Sequence, residues 1–366
     1  MRSLLASRTP VESAVGIVAL ALLAAGPAFM NDFWIGTILT ETFIFGIAAA
    51  SIIFLFAYGG MISLAQTALM GICGYIVGNL VTHGGVGGES KGLRLGWDPT
   101  IVFFVSIGIT VAIGLVLGAV AARSLGIYFL MLTLTYGVIA YYFFSQVIQF
   151  GCFSPIAGID RYPPAFVGDV LDHPDKLYYV AFGTALAVYL LIRYVVRTPF
   201  GITLQGIRDD PVRMSSLGYN VALHRTIAFG FGAFLASLAG VLFVWWQGQI
   251  APGDVYLNST INVLVMAVIG GMARIEGAWV GALAFFAIDN EVTNAIPSSG
   301  LPVIGGTFHT IIGVIFLAIV VVSPNGLMGL WDRLLGLAFG RGGGPPAPSI
   351  VAPPGEQPEA AAAPGA

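Results

Sequence analysis

From Thr100 to Ala122 the chain runs twenty-three residues without an acid, a lysine or an arginine, and apolar runs of similar length recur along it. About 20 apolar residues in a helix cross the hydrocarbon core of a bilayer, because a helix satisfies its own backbone polar groups there. Runs of this kind occupy 14–30, 34–57, 61–82, 100–122, 126–149, 177–197, 226–248 and 303–322. Only 9% of the 366 residues are charged, whereas a soluble domain needs roughly 25% to face water. Much of this surface must therefore face lipid, and the expected fold is an all-α, polytopic transmembrane helical bundle.

Two segments depart from the simple pattern. The run 14–30 follows Arg2 and Arg8 and imitates a secretory signal, but the next run begins only a few residues later. We read it as a retained first spanning helix. Residues 260–290 are apolar but interrupted at Gly270-Gly271 and again at Glu276-Gly277. Each half has about 13 residues, or about 20 Å of helix, which is short for a crossing. The expectation is a broken or re-entrant helical segment. Gly59-Gly60-Met61 and Gly270-Gly271-Met272 match as a repeat of interrupted helices would.

Lysine and arginine are retained on the cytoplasmic side of a membrane protein. With the N-terminus inside, eleven of the fifteen basic residues fall on that side, from Arg2 and Arg8 through Arg123, Arg193, Arg197, Arg208, Arg213, Arg225 and Arg274 to Arg333 and Arg341. Lys91, Arg94, Arg161 and Lys176 fall outside, among acids such as Glu89, Asp98, Asp160, Asp169 and Asp254. Both termini are then cytoplasmic. Trp245-Trp246 and Tyr178-Tyr179 are expected at the outer interface, where amphipathic rings settle. The plan is a cytoplasmic N-terminus over 1–13, a transmembrane domain over 14–339 containing a cytoplasmic loop at 198–225, and a Pro/Gly/Ala-rich cytoplasmic tail over 340–366 that cannot bury a core.

Catalytic patterns are missing from the sequence. His83, His173, His224 and His309 are scattered, and neither a Gly-x-Ser-x-Gly elbow nor a His-Glu-x-x-His pair occurs. Nor is there a Gly-x4-Gly-Lys-Ser/Thr phosphate loop, so if ATP drives this protein another chain hydrolyses it. Cys73 and Cys152 lie in apolar surroundings with no metal spacing, and no cofactor or metal is expected. Ion-coupled transport needs ionisable groups deep in the bilayer. Glu41, Asp289 and Glu291 are the nearest to that description, and their positions near run ends are those of interfacial residues.

The most informative stretch is residues 197–225, a densely charged loop in which Leu204, Ile207, Val212 and Leu217 could form one apolar face around an interruption at Pro211. Such an element could lie on the membrane surface or dock into a cytosolic partner. Arg197, Phe200-Gly201, Leu204, Ile207-Arg208-Asp209, Leu217-Gly218 and Asn220-Val221 resemble the cytoplasmic loop of the branched-chain amino acid ABC-transporter permease family, in its larger, LivM-like subunit. Tyr58-Gly59-Gly60-Met61-Ile62-Ser63-Leu64, the glycines Gly270-Gly271, Gly277 and Gly281, and the closing Pro324-Asn325-Gly326-Leu327 resemble further family segments in the same order. Ala65-Gln66 stands where the family often has Gly-His, and Pro211 and Ser215 replace glutamates typical of the loop.

The resemblance implies a non-catalytic permease subunit of an ATP-binding-cassette importer in the inner membrane of a bacterium or archaeon. It would pair with a second permease subunit, two cytosolic ATP-binding subunits and an extracytoplasmic solute-binding protein. The cargo would be a small polar solute: a branched-chain or other amino acid, an amide or a carboxylate. Arg208, Asp209, Arg213, Leu217 and Gly218 would then couple the chain to its ATPase. For the path, Ser63, Gln66 and Thr67 are candidates in the first turns of the helix after Gly59-Gly60, with Asn262 in the broken segment. Arg274 and Glu276 mark a cytoplasmic turn that could touch the ATPase. Two other readings are a stand-alone secondary transporter, which would need buried ionisable residues, and a structural subunit of an energy-converting membrane complex, which would not need the charged loop.

Overall fold

A computed structural model describes residues 33–82, 95–124, 126–147, 154–160, 162–164, 174–298, 313–314, 317 and 326–329. The run 14–30, both terminal segments and most of the run 303–322 lie outside the described residues. Ten helices follow in order among the rest: α1 (Trp34–Gly59), α2 (Gln66–Val81), α3 (Pro99–Ala121), α4 (Ile127–Gln146), α5 (Pro174–Arg197), α6 (Pro199–Asp209), α7 (Pro211–Ser216), α8 (Val221–Gln247), α9 (Leu257–Gly270) and α10 (Gly277–Ser298). The first six residues of α1 are wound as a π-helix. Helices α1, α3, α4, α8 and the Lys176–Arg197 part of α5 are long and apolar enough to cross a membrane. The described residues are thus predominantly helical, and the protein is a multi-pass membrane protein.

Local chemistry sets several helix starts. Asp98 accepts a hydrogen bond from the Thr100 N–H (2.9 Å), ahead of Pro99 at the first position of α3. Asp210 accepts from the Arg213 N–H (2.9 Å), and Asn220 from the Leu223 N–H (3.1 Å), at the starts of α7 and α8. A short oxygen-bearing side chain at this position satisfies one of the backbone donors that a helix start leaves unpaired.

Helices α1 and α8 form the buried centre, with α8 packed on α1, α2 and α3, and α9 and α10 packed on α1. Small residues allow the closest approaches. The Gly240 backbone of α8 lies against the Met70 carbonyl of α2, and Gly114 of α3 lies against Ala233 of α8. This is how helices associate in lipid, where apolarity alone does not favour contact between them. The outer helices expose large apolar side chains instead, among them Phe104, Val116, Ile127, Tyr128 and Leu190.

A two-residue ladder marks one end of the bundle: β1 (Ile156–Ala157) pairs antiparallel with β2 (Gln249–Ile250), Ile156 opposite Ile250. The elbow formed by α6 and α7 marks the other, where α1 ends. The rings expected at the outer interface differ in how far neighbouring helices cover them. Trp245 and Tyr178 are buried, Trp245 stacked on Phe103 with ring centres 6.1 Å apart and Tyr178 edge-on to Phe43 at 5.6 Å, while Tyr179 is exposed. With apolar residues on every side of a helix, sequence alone does not tell a lipid-facing ring from one covered by a neighbour.

Two hairpins share one construction. Helix α1 ends at Gly59 and α2 begins at Gln66, while α9 ends at Gly270 and α10 begins at Gly277. In each, the residue after the first helix is a glycine with positive φ, +65° at Gly60 and +105° at Gly271. The 14-residue α9 spans about 21 Å, whereas α10 continues for 22 residues, longer than the half-segment read from sequence.

Candidate functional site

The elbow begins with Thr198, whose side chain accepts from the Gly201 N–H, and Pro199 opens α6. Leu204 and Ile207 are fully buried against the bundle. Arg208 donates to the Ala57 carbonyl near the C-terminal end of α1 and pairs with the neighbouring Asp209 at 2.7 Å. A Cβ at position 60 would collide with the Arg208 side chain, so Gly60 serves both the left-handed turn and this approach. Helix α7 buries nothing: Val212 is 75% exposed and Leu217 66%, beside exposed Arg213 and Tyr219. The single apolar face expected from Leu204, Ile207, Val212 and Leu217 is therefore divided. Asp210 ends α6 and starts α7, and this change of direction turns the second pair away from the bundle. Gly218 has φ +90° and its N–H donates to the Ser215 carbonyl, closing the elbow before α8.

The Ser63–Thr67 expectation is corrected in its local structure. Helix α2 starts at Gln66, and Ser63 lies in the non-helical link before it. Ser63 Oγ accepts from the Ala65 N–H (3.3 Å) and Gln66 Nε2 (3.4 Å), while the Leu64 N–H donates to Thr133 Oγ1 of α4 (3.2 Å). The sequence placed the helix start just after Gly60, but the turn there needs five further residues before α-helical bonding resumes. Ser63, Gln66 and Thr67 are all buried. Asn262 is exposed on α9 and is not brought to the other three.

Thr67 opens onto a cleft of about 160 Å³ lined also by Glu41, Phe45, Met70, Gly71, Phe243, Gln247, Asp254 and Ser259. The lining comes from α1, α2, the end of α8, the 3₁₀ turn Pro252–Val255 and the start of α9, on the ladder side of the bundle. Asp254 Oδ2 accepts from the Ala251 N–H at 2.8 Å. Burial pushes its carboxyl above the usual carboxylate range, and that hydrogen bond partly opposes the shift. Thr67 Oγ1 and Gln66 Oε1 are buried without a hydrogen-bond partner. In the sequence Glu41 reads as interfacial and Asp254 as one of many outer acids, while Gln247 and Ser259 carry no signal. Nothing in their spacing announces that three helices and a turn converge there.

On the elbow side, Tyr189 of α5 donates to Glu276 (2.8 Å) and accepts from Arg193 (2.8 Å), with Arg193 and Glu276 3.9 Å apart. The turn expected to be a contact for a partner thus has its acid engaged within the chain.

The described residues thus form a bundle of apolar helices with a small, partly polar cleft near one end and a charged elbow at the other. The family model described as "Branched-chain amino acid transport system / permease component" matches residues 34–323. The chain belongs to this family, that of a non-catalytic membrane component of a transport system. It is similar to the high-affinity branched-chain amino acid transport system permease protein LivM of Salmonella typhimurium, 25% identical over 49% of this chain and 41% of the relative. It is also similar to the probable branched-chain amino acid transport permease protein LivH of Methanocaldococcus jannaschii, 27% identical over 41% of this chain and 46% of the relative. For the permease protein BraD of Pseudomonas aeruginosa the figures are 27%, 44% and 50%. The chain spans about half the length, or less, of these relatives. No solved structure matches it.

Proposed function

We propose that this chain is the membrane-spanning permease subunit of an ATP-driven importer for small polar solutes, amino acids first among them, as the names of its relatives suggest. In this reading it sits in the inner membrane of a bacterium or archaeon with both termini cytoplasmic, and α9 and α10 cross in and back out. It works with a second permease subunit, two cytosolic ATP-binding subunits and an extracytoplasmic binding protein. The elbow is the coupling element, and the cleft beside Thr67 is part of the solute path.

The observation that carries this is the construction of the elbow. Its first helix is anchored to α1 through Leu204, Ile207 and Arg208, and its second presents Val212 and Leu217 with Asp209 and Arg213 nearby. Apolar side chains rimmed by charges suit a protein partner. A partner that pushes on α7 would move α6 and, through the Arg208–Ala57 bond, the end of α1. This chain has no phosphate loop of its own, so such a push supplies the work. A stand-alone, ion-coupled transporter would use Glu41, but that reading leaves the exposed face of α7 without a role.

Tagged chain purified in mild detergent should bring two ATPase subunits with it, and reconstituted complex should take up L-leucine only when ATP is enclosed on the elbow side. A cysteine placed at Ser215 should react with impermeant reagents from inside the cell alone. Labelling of that cysteine from outside intact cells, or uptake by the isolated chain without ATP, would sink the reading.

A further inference from the structure

The cleft has an unbalanced lining. Its two charged residues, Glu41 and Asp254, are both acids, and among the described residues no lysine or arginine lines it. The Asp289 carboxylate of α10 adds its negative field at Glu41. Thr67 is 2% exposed, lines the same cleft, and its Oγ1 has no hydrogen-bond partner. A buried hydroxyl left unpaired is costly, and a partner arriving from the cleft would satisfy it. Phe45, Met70 and Phe243 make the remaining wall apolar. Small-molecule sites are built this way, as a mostly apolar concavity with a few polar groups that fix orientation.

We propose that this cleft is a binding site for the positively charged amino group of the solute, with Glu41 and Asp254 supplying the opposite charge, Thr67 Oγ1 a hydrogen-bond partner, and Phe45, Met70 and Phe243 a surface for its aliphatic part. The proposal rests on the permease reading above and narrows it: among amino acids, amides and carboxylates, the cleft selects solutes bearing an ammonium group and disfavours those that are only anionic. An ammonium suits this donor set better than a metal ion, because no group of three or more His, Cys, Asp or Glu able to hold a metal occurs among the described residues.

Ser259 lines the cleft and is only part-buried, so it offers a reporter position. In the full-length chain within its complex, with Cys73→Ala and Cys152→Ala, a Ser259→Cys substitution should react faster with a cationic methanethiosulfonate reagent than with an anionic one of similar size. The expected ratio is on the order of tenfold, the enrichment that a one-sign cleft imposes on its counter-ion. The ratio should fall towards one in Glu41→Gln/Asp254→Asn and survive in Glu41→Asp, each compared as a monodisperse fraction. L-leucine should slow the labelling, whereas its deaminated analogue 4-methylpentanoate and potassium chloride at the same concentration should not. Equal labelling by the two reagents, a ratio untouched by the double substitution, no protection by L-leucine, or equal protection by 4-methylpentanoate or potassium chloride would each overturn the assignment. Failure of the unsubstituted complex to import L-leucine with ATP would instead reject the proposed ATP-driven import of amino acids, and the labelling ratio distinguishes the two failures.

Discussion

The two ends of this bundle present their side chains in opposite ways. At the ladder end, polar groups converge inward: Glu41, Thr67, Asp254 and Ser259 share one small cleft with aromatic and thioether side chains. At the elbow end, the side chains turn outward: α7 buries none of its residues, and its Val212 and the adjoining Leu217 are exposed. A concave site that encloses its polar groups suits a small molecule, while a convex one with apolar residues rimmed by charge suits a protein. The same helices serve both, since α1 contributes Glu41 near one end and the Ala57 carbonyl that holds Arg208 near the other. In the proposed reading, a movement of the elbow would reach the cleft along this one helix.

The largest expected effect separates the ends outright. Val212→Asp with Leu217→Asp should abolish co-purification of the ATPase. Each apolar side chain buried in an interface contributes about 1.5–3 kcal/mol, so losing two costs well over tenfold in affinity. The chain should remain monodisperse, because neither residue supports the bundle, and the charge-sensitive labelling at the cleft should be unchanged. Retention of the ATPase by this variant would break the contrast between the two ends.

Arg208→Ala should act next, and differently, because Arg208 faces the bundle as well as Asp209. Removing a charged donor from the Ala57 carbonyl costs about 1.5–3 kcal/mol. The thermal transition in detergent should fall and uptake per ATP hydrolysed should drop. Asp209→Ala should leave the thermal transition nearly unchanged, since its carboxylate is exposed and an exposed pair contributes about 0–1 kcal/mol. Equal thermal effects of the two substitutions would show that the anchor is the pair and not the bond to α1.

Much of this architecture is legible in the sequence. The apolar runs at 34–57, 100–122, 126–149, 177–197 and 226–248 coincide with α1, α3, α4, α5 and α8 to within a few residues at most ends, because crossing a bilayer imposes length and apolarity together. The elbow was legible as a charged, Pro-interrupted stretch. Its division was not, since the 3.6-residue period that aligns Leu204 and Ile207 with Val212 and Leu217 is lost where Asp210 ends one helix and starts the next. The cleft was the least legible part. Glu41 and Asp254 are 213 positions apart in the chain, and only the packing of α1, α2, α8 and the turn after α8 gathers them. The exposure of Asn262 was illegible for a related reason: in a helix apolar on most sides, a lone amide does not declare which way it faces.

Gly218→Ala should have a smaller effect, confined to the elbow. At φ +90° any side chain is strained, at a cost of about 1–2 kcal/mol. Among the described residues nothing stands within 4 Å of the missing Cβ, so the cost is conformational and not steric. The last turn of α7 should exchange its amide hydrogens faster, with no change at the cleft and a modest drop in ATPase affinity.

The smallest effect is expected at Tyr189→Phe, on the elbow side but in neither recognition surface. The substitution removes a hydroxyl that bridges Arg193 to Glu276 yet leaves the ring against Trp279 at 6.0 Å and beneath the Arg193 guanidinium at 5.6 Å. Arg193 and Glu276 stay within ion-pair distance at 3.9 Å, and both side chains are about one-third exposed, so water can replace much of what the phenol provided. The loss should be about 1 kcal/mol or less, read as a slight fall in the thermal transition. Uptake of L-leucine and recovery of the ATPase should stay at the unsubstituted level. A tenfold loss of uptake with the ATPase still bound would place the α5–α10 contact in the transport cycle, and the function would then be shared among three regions instead of two.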